Sequence, residues 1–199
     1  MVEDFISQEK KKENIWNLPN FLTFSRVIIA FFAIYFIFAG FDIIYIVVAF
    51  VIGMLTDYLD GLVAKKFGLA TEFGRKFDMV ADRILIFGVA FVLLAKFTFG
   101  GILTESHIFQ ILFMLSREIL TLPMGLTSIF TGAGIPQVRF IGKITTFLQS
   151  ITFPAIMLSI FYEPFGFSIY LAVITGTVGF ISGLYYVSDM KKLIIDKES

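Results

Sequence analysis

The chain has 199 residues, of which 57% are hydrophobic and 16% are charged, and its formal net charge is zero. A soluble domain carries about a quarter charged residues, so the composition favours a membrane protein with several spans. There is no cysteine, which excludes disulfides, thiolate nucleophiles and cysteine metal sites, and the single histidine, His107, argues against histidine-based metal or Ser/His machinery. Any catalysis therefore depends on carboxylates, lysines, arginines and hydroxyls.

The first segment, residues 1–16, is polar and lacks the apolar core and small-residue cleavage site of a secretory signal peptide. The lysine run 10–12 and Trp16 fit the headgroup region of a membrane. Pro19 stands near a helix start, where its missing N–H costs little. These features predict an N-terminal interfacial helix over 17–26 that leads into the first span.

Six apolar stretches are long enough for a transmembrane helix, which needs roughly 20 residues. They cover residues of about 21–40, 43–60, 77–96, 107–129, 144–161 and 168–187. The sequence therefore predicts an all-α integral membrane protein, a six-helix bundle that forms one domain over 1–199. Pro123 and Pro154 fall inside predicted spans and are expected to kink them.

The basic residues predict the orientation of this bundle. Six crossings place both termini and the 65–76 connection on one side, which receives almost all of the lysines and arginines. Lys96 lies near the other face and Arg117 falls within the fourth span. Under the positive-inside rule, the termini and the 65–76 connection are expected to be cytoplasmic.

Four aspartates form the most informative pattern. Asp57 and Asp60 are three residues apart at the end of the second span, and Asp78 and Asp82 are four apart at the start of the third, so each pair shares a helix face. Because a short turn joins these spans, the helices should be antiparallel neighbours and the four carboxylates should converge at the cytoplasmic edge. One acid near a helix end is usually a solvated cap, but four acids paired on facing helices favour a functional site.

Carboxylates gathered in a low-dielectric site must take up protons or be neutralised by cations. Oxygen ligands without histidine or cysteine favour Mg²⁺, Mn²⁺ or Ca²⁺, and two such ions can clamp a diphosphate and stabilise a departing phosphate. Gly61 and Gly74 would allow the backbone to approach such a ligand closely. Lys65 stands one turn after Gly61 and can meet a phosphate charge.

The stretch from Asp57 to Asp82 resembles the signature of the CDP-alcohol phosphotransferases, Asp-x2-Asp-Gly-x2-Ala-Arg-x8-Gly-x3-Asp-x3-Asp. The matching positions are Asp57, Asp60, Gly61, Ala64, Gly74, Asp78 and Asp82. The family's arginine is Lys65 here, which keeps the charge but loses the planar fork that binds phosphate through two bonds.

This resemblance implies a metal site that holds Mg²⁺ or Mn²⁺, two ions in all, formed by Asp57, Asp60, Asp78 and Asp82. Asp82 is then also the general base. The resemblance further implies that the CDP moiety lies along Asp57, Asp60, Gly61, Ala64, Lys65 and Gly74. It also implies a six-helix fold with a polar cavity facing the cytoplasm of a bacterial or archaeal cell, and a homodimer.

Other segments resemble bacterial phosphatidylglycerophosphate synthases, with cardiolipin synthases close behind. They are residues 17–23, 25–26, 117–119 and 142–146 with Gln149. The expected reaction is direct attack by the hydroxyl of glycerol 3-phosphate on CDP-diacylglycerol, which gives phosphatidylglycerophosphate and CMP.

The acceptor is a small dianion and needs cationic partners, for which Arg117, Arg139 and Lys143 are candidates and Arg26 a further one. A salt bridge between Arg117 and Glu118, and a purely topological role for Arg139 and Lys143, are the structural alternatives.

Alternative functions stay open at this point. Phosphatidylglycerol or an inositol phosphate would serve as the acceptor in related enzymes of the same family. An ion-coupled transporter also carries intramembrane acids, but usually near the midplane and within inverted repeats. A non-enzymatic scaffold has no need of clustered acids.

Overall fold

The computed structural model describes residues 17–67, 71–131 and 139–198, and all regular secondary structure in them is helical. The helices are α1 (Leu18–Ala39), α2 (Ile43–Phe67), α3 (Glu72–Arg83), α4 (Val89–Phe99), α5 (Glu105–Met114), α6 (Ser116–Thr131), α7 (Phe140–Ser159) and α8 (Ser168–Glu198). A π-helical turn, Ile84–Gly88, joins α3 to α4, and a 3-10 turn, Glu163–Phe165, precedes α8. The prediction of an all-α protein is confirmed.

Four helical segments are long and apolar enough to cross a membrane: Leu18–Ala39, Ile43–Ala64, Phe140–Ser159 and Glu163–Leu193. Helices α5 and α6 meet the same test as one span bent by 45°, which raises the number to five. The outer surface of the bundle is rich in large apolar side chains, among them Phe21, Phe31 and Phe38, each at least 60% exposed. Such side chains are suited to contact with lipid.

The N-terminal interfacial helix is not confirmed. Asn17 caps α1 by accepting a hydrogen bond from the Asn20 backbone N–H at 2.9 Å, and the helix that begins at Leu18 continues without a break to Ala39. The segment 1–16, with its lysines and Trp16, lies outside the described residues.

One bend between helices lies away from the prolines, and the kinks expected at Pro123 and Pro154 stay predictions. Pro123 lies inside α6 and Pro154 inside α7. The 45° bend between α5 and α6 lies at Leu115, where the backbone leaves the helical region.

Two groups of helices form the bundle. Helix α1 packs against α2, α3 and α4, whereas α8 packs against α5, α6 and α7. Helices α2 and α7 join the two groups, and their Phe50 and Phe153 rings meet edge to face with centroids 4.9 Å apart. The polar sites described below lie near the start of α1, the end of α2, the start of α7 and the end of α8.

A glycine allows α8 to approach α5 and α6 closely. Ser116 Oγ donates a hydrogen bond to the Gly176 carbonyl oxygen at 3.0 Å. A Cβ atom at Gly176 would lie only 2.6 Å from the Phe113 carbonyl oxygen. Small residues at helix contacts are how membrane helices pack without bulky side chains between them.

We expect Gly176→Ala to destabilise the bundle, because the new methyl group must push α8 away from backbone as well as side-chain atoms. Overpacking of this kind costs about 1–3 kcal/mol, which should lower the thermal unfolding midpoint in detergent. Gly88→Ala is the matched control, since its Cβ would meet only Ile34 Cδ1 at an ordinary 3.6 Å. Equal midpoints for the two variants would contradict this account of the α8 contact.

Candidate active site

The four aspartates predicted to converge do so. Asp57 and Asp60 lie near the end of α2, and Asp78 and Asp82 lie on α3. One carboxylate oxygen from each of Asp57, Asp60 and Asp78 can be chosen so that all lie within 4.8 Å of one another. The spacing rule that placed each pair on one helix face therefore describes the local geometry correctly.

Arg26 lies at the centre of this carboxylate cluster. Its side chain is fully buried and forms ion pairs with all four aspartates. Nη2 lies 3.1 Å from Asp57 Oδ1 and also contacts Asp60 Oδ2. Nη1 lies 2.7 Å from Asp78 Oδ1 and 2.5 Å from Asp82 Oδ1. One guanidinium thus links α1 to both acid-bearing helices.

Helix α1 presents Arg26 to the cluster through its buried face. This face continues along the helix at intervals of three and four residues through Thr23, Arg26, Ala30, Ala33 and Ile37. Thr23 Oγ1 lies 3.1 Å from Asp60 Oδ2 and adds a second polar contact from the same face. The small side chains Ala30 and Ala33 let α1 lie close enough for these polar contacts to form.

The carboxylate cluster fits a divalent metal ion. Mg²⁺ and Ca²⁺ take oxygen ligands at about 2.0–2.6 Å, so two ligands of one ion lie no more than about 5 Å apart. The 4.8 Å spread of the Asp57, Asp60 and Asp78 oxygens meets this requirement. Asp82 lies beside this group, because its Oδ1 and that of Asp78 both contact Arg26 Nη1.

A small cavity of about 190 Å³ lies on one side of the carboxylate cluster. It is bordered by the ends of α1, α2 and α3, and its lining residues include Asn20, Thr23, Asp60, Gly61, Ala64, Gly74 and Asp78. Four of the positions assigned to CDP from the family signature, Asp60, Gly61, Ala64 and Gly74, therefore face one space. Lys65 belongs to α2, but its side chain lies outside the described residues.

The two glycines of this cavity have different roles. A Cβ at Gly61 would meet no atom within 4 Å, so this position leaves open space beside Asp60. A Cβ at Gly74 would lie 2.6 Å from Asn20 Oδ1 and 2.9 Å from Thr71 Oγ1. Thr71 caps α3 by accepting a hydrogen bond from the Gly74 N–H at 2.9 Å. Gly74 thus allows the start of α3 to pack closely against the start of α1.

A larger cavity of about 590 Å³ lies on the other side, between α3, α6, α7 and α8. Its basic lining residues are Arg75, Arg83, Arg117, Arg139 and Lys143, and Asp78, Asp82, Tyr185, Tyr186 and Asp189 also line it. Arg75 and Asp78 border both cavities. The two spaces therefore meet at the carboxylate cluster.

The three residues proposed for an anionic acceptor all line the larger cavity, with different partners. Arg117 Nη1 donates a hydrogen bond to Thr146 Oγ1 at 2.9 Å and lies 4.0 Å from Glu118 Oε1, at the limit of an ion pair. Arg139 forms two 2.8 Å hydrogen bonds with Asp189. Lys143 is exposed and makes no ion pair within the part of the chain that the structure describes.

A buried hydrogen bond joins α6 and α7 next to Arg117. Glu118 and Gln149 are both buried, and Gln149 Nε2 donates hydrogen bonds to Glu118 Oε2 at 2.7 Å and to the Met114 carbonyl oxygen at 3.3 Å. This contact fixes α6 against α7 where Arg117 and Lys143 face the cavity.

Sequence reasoning missed three basic residues of the site. Arg26 was considered for the orientation, for the resembling segment 25–26 and for the acceptor, and Arg75 and Arg83 only for membrane orientation, but none of them for the carboxylate cluster. Arg83 Nη1 donates to the Met79 carbonyl oxygen at 3.0 Å, and its buried Nε has no hydrogen-bond partner among the described residues. Helical spacing was the available signal, because Arg75, Asp78 and Asp82 follow at intervals of three and four.

The fold and the site together define a membrane-type helical bundle with an acidic centre between two polar cavities. The chain belongs to the CDP-alcohol phosphatidyltransferase family, whose family model matches residues 16–181.

Several relatives carry names from this family. A CDP-diacylglycerol–glycerol-3-phosphate 3-phosphatidyltransferase of Rickettsia typhi is 32% identical over 67% of this chain and 71% of its own length. The Bacillus subtilis protein of the same name is 30% identical over 56% of this chain and 53% of its own length. A CMP-forming cardiolipin synthase of Streptomyces coelicolor is 30% identical over 70% of this chain and 64% of its own length.

Binding of Mn²⁺ tests the carboxylate cluster directly. Asp57→Asn should weaken Mn²⁺ binding at least tenfold, since the change removes one charged ligand and leaves the side-chain shape intact; a charge-assisted contact is worth about 1.5–3 kcal/mol. Electron paramagnetic resonance of free and bound Mn²⁺ measures the affinity. Asp42→Asn, which alters an exposed acid that accepts a hydrogen bond from the Ile44 N–H at the far end of α2, is the control. Equal Mn²⁺ affinity in the Asp57 and Asp42 variants would contradict the site.

Proposed function

We propose that this protein transfers the phosphatidyl group of CDP-diacylglycerol to glycerol 3-phosphate, with phosphatidylglycerophosphate and CMP as products. The observation that carries the proposal is the meeting of two cavities at one carboxylate cluster. The smaller is bordered by the family signature residues, and the larger by basic side chains. The names of the Rickettsia typhi and Bacillus subtilis relatives support the same donor and acceptor.

The smaller cavity is the proposed place of the donor's CDP moiety. Gly61 leaves open space beside Asp60, and Gly74 and Ala64 form further walls without bulky side chains. Asp57, Asp60, Asp78 and Asp82 would hold the metal ions, which supply charge neutralisation for the diphosphate when bound. The native ion in this proposal is Mg²⁺ or Mn²⁺.

The larger cavity is the proposed place of glycerol 3-phosphate. A phosphate dianion taken out of water requires paired positive charges, because an unpaired buried charge is expensive. Arg83, Arg117 and Lys143 offer this charge from three different helices. Arg139 differs from them, since Asp189 already balances its charge, and its proposed role is to shape the cavity mouth beside Tyr185.

The chemistry follows from the position of Asp82. This aspartate lines the larger cavity, so its carboxylate can accept the proton of the acceptor hydroxyl. The hydroxyl oxygen then forms a bond to the lipid-side phosphorus of the donor. The bond from that phosphorus to the bridging oxygen breaks, and CMP leaves with the electron pair. This direct displacement requires no covalent enzyme intermediate.

The arrangement in the membrane belongs to this proposal. Helices α3 and α4 with the π-helical turn between them form one helical run of 12, 5 and 11 residues, with helical backbone angles at Arg83 and Val89. We assign this run as a further crossing, which makes six. The basic residues favour cytoplasmic termini and a cytoplasmic active site, in a single domain that forms a homodimer in the cell membrane.

Product identity tests the proposal. The purified protein would be supplied with Mg²⁺, radiolabelled CDP-diacylglycerol, and equal amounts of glycerol 3-phosphate and phosphatidylglycerol. We expect phosphatidylglycerophosphate and an equal amount of CMP. Cardiolipin as the product would mean that phosphatidylglycerol is the acceptor, and would favour the activity named for the Streptomyces coelicolor relative. Absence of CMP release with either acceptor would overturn the donor as well.

Gly61→Ala should weaken use of the donor without loss of stability. The new methyl group meets no protein atom within 4 Å, and alanine is the better helix former. If the nucleotide lies there, the methyl group takes its place, and a steric cost of about 1–3 kcal/mol raises the KM for CDP-diacylglycerol roughly tenfold or more. Gly88→Ala serves again as the control. An unchanged donor KM in Gly61→Ala would contradict the placement of CDP.

Lys143→Gln should weaken the acceptor selectively. Loss of a charge-assisted contact worth about 1.5–3 kcal/mol raises the KM for glycerol 3-phosphate roughly ten- to a hundredfold, while the KM for CDP-diacylglycerol stays near its native value. Steady-state kinetics with each substrate varied in turn measure the two constants. Lys192→Gln is the matched control, since Lys192 is an exposed lysine of α8 that does not line the cavity. An equal effect on both substrates would contradict the assignment.

A further inference from the structure

We propose that Arg26 is the built-in counter-cation of the carboxylate cluster. It holds the four aspartates together when no metal ion is bound, and its charge lowers the affinity of the same carboxylates for the metal. This inference rests on the metal site of the proposed function and concerns a residue to which that function assigned no role.

The contacts of Arg26 fit this role more closely than acceptor binding. Both Nη atoms are occupied by carboxylates, from Asp57 and Asp60 on α2 and from Asp78 and Asp82 on α3. The side chain is fully buried and does not line the larger cavity, where the acceptor would bind. Its charge is therefore directed at the aspartates rather than at an open space.

Within the part of the chain that the structure describes, the hydrogen bonds and ion pairs of the Arg26 side chain all go to carboxylates. The Nε atom is buried and has no hydrogen-bond partner among the described residues. The side chain thus leaves this donor unpaired while its two Nη atoms contact the acids of α2 and α3.

The charges in the cluster explain both effects. One guanidinium facing four carboxylates reduces their mutual repulsion but leaves the cluster negative, so a divalent cation is still attracted. Opposite charges a few ångströms apart interact strongly where water is excluded, and like charges repel as strongly. Arg26 therefore stabilises the metal-free cluster and opposes the entry of a second cation. The aspartates are therefore already held together before a metal ion binds, and they bind it with moderate affinity.

The test compares metal binding and stability in native protein, Arg26→Gln, Arg26→Lys and the control Lys96→Gln. Lys96 is the matched basic residue, because it also links two helices, α4 and the other end of α1. Its Nζ donates hydrogen bonds to the carbonyl oxygens of Ile37 and Phe38 at 2.5 and 2.8 Å. Mn²⁺ affinity is measured by electron paramagnetic resonance, and the thermal midpoint is measured with chelator and with saturating Mg²⁺.

We expect Arg26→Gln to bind Mn²⁺ at least tenfold more tightly than native protein and Arg26→Lys to lie between the two. The midpoint of Arg26→Gln should fall in chelator and recover in Mg²⁺. Lys96→Gln should keep native affinity and lose the same amount of stability in both conditions. Weaker or unchanged Mn²⁺ binding in Arg26→Gln, or a loss of stability that Mg²⁺ does not reverse, would overturn the proposal.

A second measurement covers the case in which Arg26→Gln does not fold. In native protein labelled with ¹⁵N-arginine, the Arg26 guanidinium signal is assigned by its loss in Arg26→Lys. Addition of Mg²⁺ should shift this signal more than that of Arg139, which pairs with Asp189 away from the cluster. An Arg26 signal that does not respond to bound Mg²⁺ contradicts the proposal. If native protein binds no Mn²⁺ at all, the metal site itself fails, and the chelator midpoints alone decide whether Arg26 holds the cluster.

Discussion

The structure depends on one constraint: four carboxylates placed among apolar helices must be neutralised. Burial of a charge is expensive unless a partner of opposite charge is close, and water is scarce inside a membrane bundle. Arg26 meets part of this need by contacting Asp57, Asp60, Asp78 and Asp82. The contact explains why α1, α2 and α3 converge at one end, although their apolar surfaces alone would permit many other packings.

The remaining features place two cavities on either side of this cluster, one for each substrate of the proposed function. Helix ends with glycine and threonine enclose the smaller cavity, and basic side chains of α3, α6 and α7 line the larger one. Asp78 borders both cavities, so in the proposed reaction the transferred group passes the carboxylates. Apolar packing holds this geometry in place, since Phe50 against Phe153 joins the two helix groups and Gly176 brings α8 against α5.

Local patterns predicted the acid-bearing half of the site well. Helical spacing set the faces of Asp57 and Asp60 and of Asp78 and Asp82, which required no knowledge of distant contacts. Helices α2 and α3 were expected to pack as neighbours, but each packs against α1, whose Arg26 joins their carboxylates. The family signature over the same stretch assigned six positions to CDP, and four of them, Asp60, Gly61, Ala64 and Gly74, line the smaller cavity.

Features that depend on packing between distant segments were harder to predict. Arg26 lies far from the aspartates in sequence, and nothing in its own neighbourhood reveals that α1 turns this face toward them. Arg139 was treated as an open cationic site because its partner Asp189 is on α8. The interfacial helix was inferred from Pro19, but a proline in the first turn is equally compatible with the start of the span itself, which is where it lies.

The most direct test of the account is whether CDP binding requires a divalent cation at the carboxylate cluster. Calorimetric titration of CDP into the purified protein, with Mg²⁺ and with chelator, measures this without turnover. We expect CDP to bind in Mg²⁺, and we expect this binding to be lost in chelator and in Asp60→Asn but kept in Asp42→Asn. Equally tight CDP binding in chelator, or in the Asp60 variant, would show that the carboxylates do not connect cation and nucleotide.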